Sequence, residues 1–275
     1  MHLLRRDLQC DLVPLACTGI RRAGAGFAVE LTDAPALAAD GVLVATGMHS
    51  PLRQAISPGA TPRSCHRNSW RGLVAFADPQ LRSGVAIETL GRGCRVGLFP
   101  VGAGLVYWFV QDNQRDRGAK LPSPGAALAA RLADWPDPIA RVLAATPDAA
   151  IVETPIEEML PGPPWHAGNA LLLGDAAHGM APDLGRGACT AIVNLLELDR
   201  QLARQPSFAE AVAAFTRARR WRTRMIQHAS RLAGEVRQIE NALLYRLRNT
   251  MWRYLPPLWL LRSVVAPILA RRAKA

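Results

Sequence analysis

Residues 170–191 read ALLLGDAAHGMAPDLGRGACTA. The apolar run Ala170-Leu171-Leu172-Leu173 has the length and content of a buried strand, and it closes on Gly174-Asp175. Such a strand delivers Asp175 to its carboxyl end, where open α/β sheets bind ligands. The loop that follows holds Pro182, Gly185 and Gly187, and a helix is predicted from Ala188 to Leu202. Glycines at that place let a ligand approach the backbone closely. The free N–H groups of a helix N-terminus suit an anion or an electron-rich ring edge. A carboxylate at Asp175 suits a sugar or polyol hydroxyl. The segment therefore describes a site for something that carries hydroxyls and developing negative charge.

Working outward, Gly41-Val42-Leu43-Val44-Ala45 is a second buried strand, ending at the turn signal Thr46-Gly47. Phe27–Leu31 is strand-like. Between the two buried strands, Trp70–Phe76, Val85–Leu90, Cys94–Phe99 and Leu105–Val110 recur at a spacing that predicts an antiparallel sheet. Helical patterns follow at Pro124–Leu132 and Ile139–Ala145, then a strand at Ile151–Ile156 and a proline-rich linker at Pro161–Pro164. Residues 208–250 are mostly helical in pattern. Leu4, Leu8 and Leu12 place the chain's opening on one helical face, with no strand before it. The fold class is α/β, with an antiparallel insert between two buried strands.

The chain has 275 residues, 49% hydrophobic and 20% charged, which allows one large domain or two small ones and excludes disorder as the main state. Its excess charge sits in one place. Residues 217–275 carry 13 Arg and 1 Lys against Glu235 and Glu240, while the remainder is nearly neutral. A general polyanion binder would spread that charge. Cys10, Cys17, Cys65, Cys94 and Cys189 contain no C-x-x-C, so neither a zinc nor a disulfide framework follows. They fit buried thiols in a reducing cytoplasm. The N-terminus lacks the apolar core of a signal peptide. The apolar stretch from Tyr254 to Leu269 is broken by Pro256, Pro257, Arg262 and Pro267 and is too interrupted to span a bilayer.

The stretch GDAAHGMAPDLGRGACTA resembles, without a gap, the second flavin-binding motif of the group A FAD-dependent monooxygenases, the aromatic-hydroxylase and zeaxanthin-epoxidase-like family. Other segments agree in order. Asp40 through Thr46-Gly47-Met48-His49-Ser50-Pro51-Leu52-Arg53 resembles the family's G-A-D-G-x-H-S-x-x-R region, and Arg5-Arg6-Asp7-Leu8 its R-x-x-L helix. Residues 98–109 resemble the sheet of its substrate domain, and the Arg217–Arg224 cluster its C-terminal region. The likeness is to the later part of the family's chain.

The resemblance implies an incomplete, glutathione-reductase-like FAD-binding domain (residues 1–62, with the second flavin motif at 161–205). It also implies an inserted substrate sheet at 63–160 and a helical basic region at 206–275. Cofactor contacts implied are Arg5 to the phosphates, Gly47, Asp175 to the ribityl chain, and Pro182, Leu184, Gly185, Gly187 and Ala188 around the isoalloxazine. NAD(P)H would be the co-substrate, with hydroxylation or epoxidation of an aromatic or isoprenoid-like small molecule. No catalytic residue and no metal ligand is expected.

Departures from the family pattern stand beside these matches. The strand–GxGxxG–helix unit that binds the ADP half of FAD is absent from these residues; Gly91-Arg92-Gly93 and Gly102-Ala103-Gly104 lack its spacing and context. Thr46 replaces the aspartate of G-A-D-G, Arg186 a glutamine, and Val193-Asn194 an acidic pair. Two explanations compete: a start downstream of the true one, or a truncated remnant that does not bind FAD by itself.

Plainer readings attach to several residues. His178, His49 and Ser50 read as structural hydrogen-bonders, Cys189 as a small buried helix residue, and Arg217–Arg224 as a solvated face. In a strand, Tyr107 and Phe109 or else Trp108 alone can line a pocket, with core packing the alternative. The basic tail near Trp252, Trp259 and Leu260 is compatible with peripheral membrane contact. Other expectations are a cytoplasmic setting, a homodimer and no nucleic-acid partner, since no reading module is present.

Overall fold

The computed structural model describes residues 13–82, 84–113 and 123–254. Arg5, the Leu4–Leu12 pattern, Cys10, Trp259 and Leu260 lie outside the described residues. The chain divides into two units. The first takes in Met1–Thr61, Gly162–Ala177 and Cys189–Arg220; the second takes in Pro62–Pro161, His178–Ala188 and Trp221–Ala275.

The first unit contains two small sheets. Strands β1 (Cys17–Ala23), β2 (Gly26–Leu31) and β3 (Ala34–Ala39) form an antiparallel sheet. Only β2 matches a strand expected from sequence. In β1 the one buried side chain is Ile20, and β3, APALAA, buries none. Neither therefore carries the alternation that marks a half-buried strand. The second sheet orders β10 (His166–Ala167), β11 (Ala170–Leu172) and β4 (Val42–Val44), with β11 parallel to β4. The two apolar runs are these two parallel strands.

Val44, Ala170 and Leu172 pack with Ile20, Phe27, Leu52 and Ile56. Leu171 and Leu173 point the other way, as alternation requires, and pack with Trp165, Leu198, Val212 and Phe215. Leu198 comes from helix α4 (Gly187–Arg204), and Val212 and Phe215 come from α5 (Phe208–Arg237). Ser207 caps α5: its Oγ accepts from the Glu210 N–H at 3.3 Å and donates to Glu210 Oε2 at 2.9 Å.

The second unit is built on a five-stranded antiparallel sheet. It orders β6 (Ile87–Leu90), β7 (Cys94–Gly102), β8 (Leu105–Asn113), β5 (Pro62–Ala75) and β9 (Val152–Met159). Helices α1 (Pro124–Arg131) and α2 (Ile139–Ala144) cover one face. Alternation sends Trp70, Val74, Val96, Leu98, Val106, Trp108 and Val110 to that face, against Leu128, Ile139, Val142 and Leu143. Trp108 is the centre of this core. Its indole N–H donates to Thr146 Oγ1 at 2.9 Å, so its one polar atom is satisfied while the ring is fully buried.

Gly72 on β5 lies directly under the Trp108 ring; a Cβ there would stand 2.7 Å from Cε2 and Cζ2. The Gly72→Ala variant is expected to lose about 1–3 kcal/mol of stability through overpacking. Urea denaturation of the wild-type and variant chains measures it. An unchanged midpoint would mean that the indole can move aside.

Candidate functional site

In the first unit the parallel strands end side by side, with Leu172 paired to Val44. Past Val44 the chain turns at Gly47; past Leu172 it turns at Gly174 into a single helical turn, α3 (Asp175–His178). Gly47 has φ of +84°, and nothing lies within 4 Å of the place a Cβ would take. Asp175 is exposed at the start of α3. One buried cation ties both strand ends together. Arg53, in the 3-10 turn Pro51–Ala55, donates from Nε to the Ala176 carbonyl at 2.9 Å and from Nη2 to the Gly47 carbonyl at 3.1 Å. A further bond runs from Nη2 to the Met48 carbonyl. Burial lowers the pKa of this guanidinium. The Thr46 and Ser50 hydroxyls hydrogen-bond to each other, so Thr46 stabilises the turn locally.

In the second unit the motif continues as a 3-10 turn, Pro182–Leu184, closed by Gly185 at φ +61°. The Gly185 N–H donates to the Pro182 carbonyl at 2.9 Å, and again nothing lies within 4 Å of a Cβ position. Helix α5 supports this loop. Ser230 Oγ donates to the Ala181 carbonyl at 2.6 Å and accepts from the Leu184 N–H at 3.2 Å. Gln227 Nε2 donates to the Met159 carbonyl at 3.0 Å.

The strongest anchor is Asp183, whose side chain is fully buried. Its Oδ1 accepts from Arg67 Nη1 at 2.9 Å and from Arg95 Nη2 at 2.7 Å, while its carbonyl accepts from Arg237. Arg67 also donates to Gln238 Oε1 at 3.0 Å. Arg95 donates to Gln111 Oε1 and, at 2.7 Å, to Glu88 Oε1. Burial lowers the pKa of Arg95, against the opposing pull of Asp183 and Glu88. Three guanidiniums thus meet two carboxylates, and the cluster is net cationic.

Arg67 and Arg95 reach Asp183 from the sheet face opposite the Trp108 core. That same face carries Phe99, Tyr107 and Phe109. Phe99 stands 6.0 Å from Tyr107 and 5.8 Å from Phe109 between ring centroids, and Arg95 lies 5.0 Å from the Phe109 centroid. Gly97 makes room for them; a Cβ there would meet Phe99 Cε2 at 2.7 Å. Trp108 is core, while Tyr107 and Phe109 share the half-buried second face.

Among the residues expected from sequence, Gly47 and Asp175 belong to the first unit, linked through Arg53. Pro182, Leu184, Gly185, Gly187 and Ala188 share one loop and helix start in the second. Arg67, Arg95 and Asp183 were not singled out, although a charged residue inside an alternating strand was the available signal. Two readings need correction. Cys189 is exposed, and Cys17 and Cys65 are only half-buried; Cys94 alone fits the expectation among the described cysteines, and burial pushes its thiol up to about 12. The Arg217–Arg224 cluster is not wholly solvated, because Arg219 is buried and donates to Asn194 Oδ1 at 2.8 Å. His178 is buried, in keeping with a structural role.

Gly234, within α5, faces the Arg67–Asp183 pair. A Cβ there would stand 2.6 Å from Asp183 Cγ, with Arg67 Nη1 closer still. In an exposed helix Gly→Ala stabilises by about 1 kcal/mol. Gly234→Ala is expected to reverse that sign and lower the thermal midpoint. A raised midpoint would show that the ion pair does not need the helix backbone this close.

No family model matches the chain. Aurachin C monooxygenase/isomerase from Stigmatella aurantiaca is 32% identical over 235 residues, 86% of this chain and 61% of that protein. FAD-dependent urate hydroxylase from Klebsiella pneumoniae is 30% identical over 198 residues, 69% of this chain and 50% of that protein. The solved structure of Klebsiella pneumoniae HpxO complexed with FAD and uric acid matches with a TM-score of 0.80 and 25% identity, covering 91% of this chain and 65% of that one. The chain thus spans roughly half to three fifths of the length of these curated relatives. Over the stretch it covers, the chain belongs to the FAD-dependent monooxygenase family.

Proposed function

We propose that this chain supplies the flavin-contacting turns and the substrate sheet of an FAD-dependent monooxygenase that hydroxylates or epoxidises a small molecule with NAD(P)H and O2. The reading assigns residues 1–62 and 161–205 to an incomplete glutathione-reductase-like FAD-binding domain, 63–160 to the inserted substrate domain and 206–275 to a helical basic region. The observation that carries it is the gapless Gly174–Ala188 match, with the room its glycines leave. At Gly47 and Gly185 the backbone is turned at positive φ and a Cβ would meet nothing, as a cradle for a ligand requires. Asp175 is an exposed carboxylate beside one such turn. Arg186 Nε is buried with no hydrogen-bond partner among the described residues, so a donor stands ready for an acceptor. These features fit FAD.

Asp175 would accept from the ribityl hydroxyls, a charge-assisted bond worth about 1.5–3 kcal/mol. The backbone N–H groups from Arg186 to Ala188, at the start of α4, would stabilise negative charge on the pyrimidine edge of the ring. Bound FAD would supply the reduction by NAD(P)H and the activation of O2. The protein's share is positioning and exclusion of water. Substrate would lie along the face formed by Phe99, Tyr107 and Phe109. The aromatic rings on that face favour an aromatic substrate over an isoprenoid-like one. No side chain is assigned as general acid or base.

The test uses the protein expressed from its whole open reading frame. It is expected to copurify with, or take up, FAD with bound-flavin absorbance, and to oxidise NAD(P)H in an FAD-dependent way. Asp175→Ala is expected to weaken FAD binding by roughly tenfold to a hundredfold. A folded protein that takes up no FAD would overturn the reading and leave the flavin-free remnant as the account.

A further inference from the structure

Helix α6 (Ala242–Tyr254) has two faces of different character. Asn241 caps it, its Oδ1 accepting from the Leu243 and Leu244 N–H groups at 3.0 and 3.1 Å. Tyr245, Arg248 and Trp252 form the inward face. Arg248 is buried and donates from Nη1 to the Arg237 carbonyl at 2.6 Å, closing the end of α5. Its guanidinium lies 4.9 Å from the Tyr245 centroid and 5.4 Å from that of Trp252. The helix is therefore docked through one side and its rotation is fixed.

That docking turns an apolar arc outward. Leu243 is 75% exposed, Leu247 58% and Tyr254 74%, with Leu244 and Met251 also exposed. At helical spacing these five residues fall within an arc of about 100°. Arg246 and Arg253 are exposed along one border of the arc, and no acidic residue occurs in α6. No described helix is long and apolar enough to cross a membrane.

We infer that the outward face of α6 is a docking surface for an anionic lipid bilayer, with the helix lying in the plane of the interface. A convex ridge of Leu and Met edged by arginine and carrying Tyr254 suits the headgroup–acyl boundary. Charge selects the occupant. Arg246 and Arg253 border this face and α6 has no acidic residue, so a second copy would bring like charge against like. An anionic bilayer meets both the arginines and the apolar arc. The inference is independent of the flavin reading.

Flotation of the full chain with phosphatidylcholine vesicles, with and without phosphatidylglycerol, tests it. The wild type is expected to float with the anionic vesicles at low salt and to be partly released by high salt. Two exposed-site variants, Leu243→Glu/Leu247→Glu and Arg246→Glu/Arg253→Glu, are each expected to lower partition by about tenfold or more. Circular dichroism and the denaturation midpoint check that each remains folded, and either one suffices if the other does not fold. A wild type that stays unbound, or a folded variant that floats like wild type, would overturn the inference. So would a wild-type dimer in sedimentation equilibrium that the leucine variant dissociates.

Discussion

The Asp183 side chain sits fully buried with two arginines on one oxygen, and that arrangement constrains where the turn Pro182–Leu184 can lie. Arg67 comes from β5, Arg95 from β7, and Arg237 from the end of α5. Three separate elements therefore converge on a residue inside the turn Pro182–Leu184. A buried ion pair is weak evidence of net stability, because desolvation offsets much of the attraction. Its force as a constraint is different. Removing one partner leaves a buried charge unmatched, at a cost of about 3–5 kcal/mol, so alternative placements of the turn are strongly disfavoured. Gly234 shows how tightly the surroundings are fitted to it.

The first unit solves the same problem with a different device. Arg53 is held by the carbonyls of Gly47, Met48 and Ala176. One planar guanidinium thereby fixes both turns that follow the parallel strands. In each unit a buried cation orders a glycine-bearing turn whose glycine faces open space. The turns are hydrogen-bonded where they meet protein and open at the glycine.

Much of this was legible in the sequence, for physical reasons. Apolar runs ending in Gly-Asp and Thr-Gly announced the parallel strands, since a doubly covered strand needs continuous apolar residues. Short strand-like runs recurring between Trp70 and Val110 announced the antiparallel sheet. Strands β1 and β3 were missed because they bury almost nothing, so no pattern is imposed on them. The Asp183 cluster was missed because its members are 116 and 88 residues apart in the chain. Long-range pairing leaves no local trace except an unexpected charge inside an apolar strand, as at Arg95. Cys189 was misread because a helix start offers no alternation from which to judge burial, and Arg219 because a run of arginines hides the one that turns inward.

The claim on which the account rests is that Asp183 clamps the flavin-type turn to the sheet. Amide hydrogen exchange in the Asp183→Asn variant tests it most directly. The account predicts faster exchange, localised to the amides from Leu184 to Thr190, while the β7 and β8 amides of the Trp108 core stay protected. Unchanged exchange at Leu184 and Gly185 in the variant would contradict it.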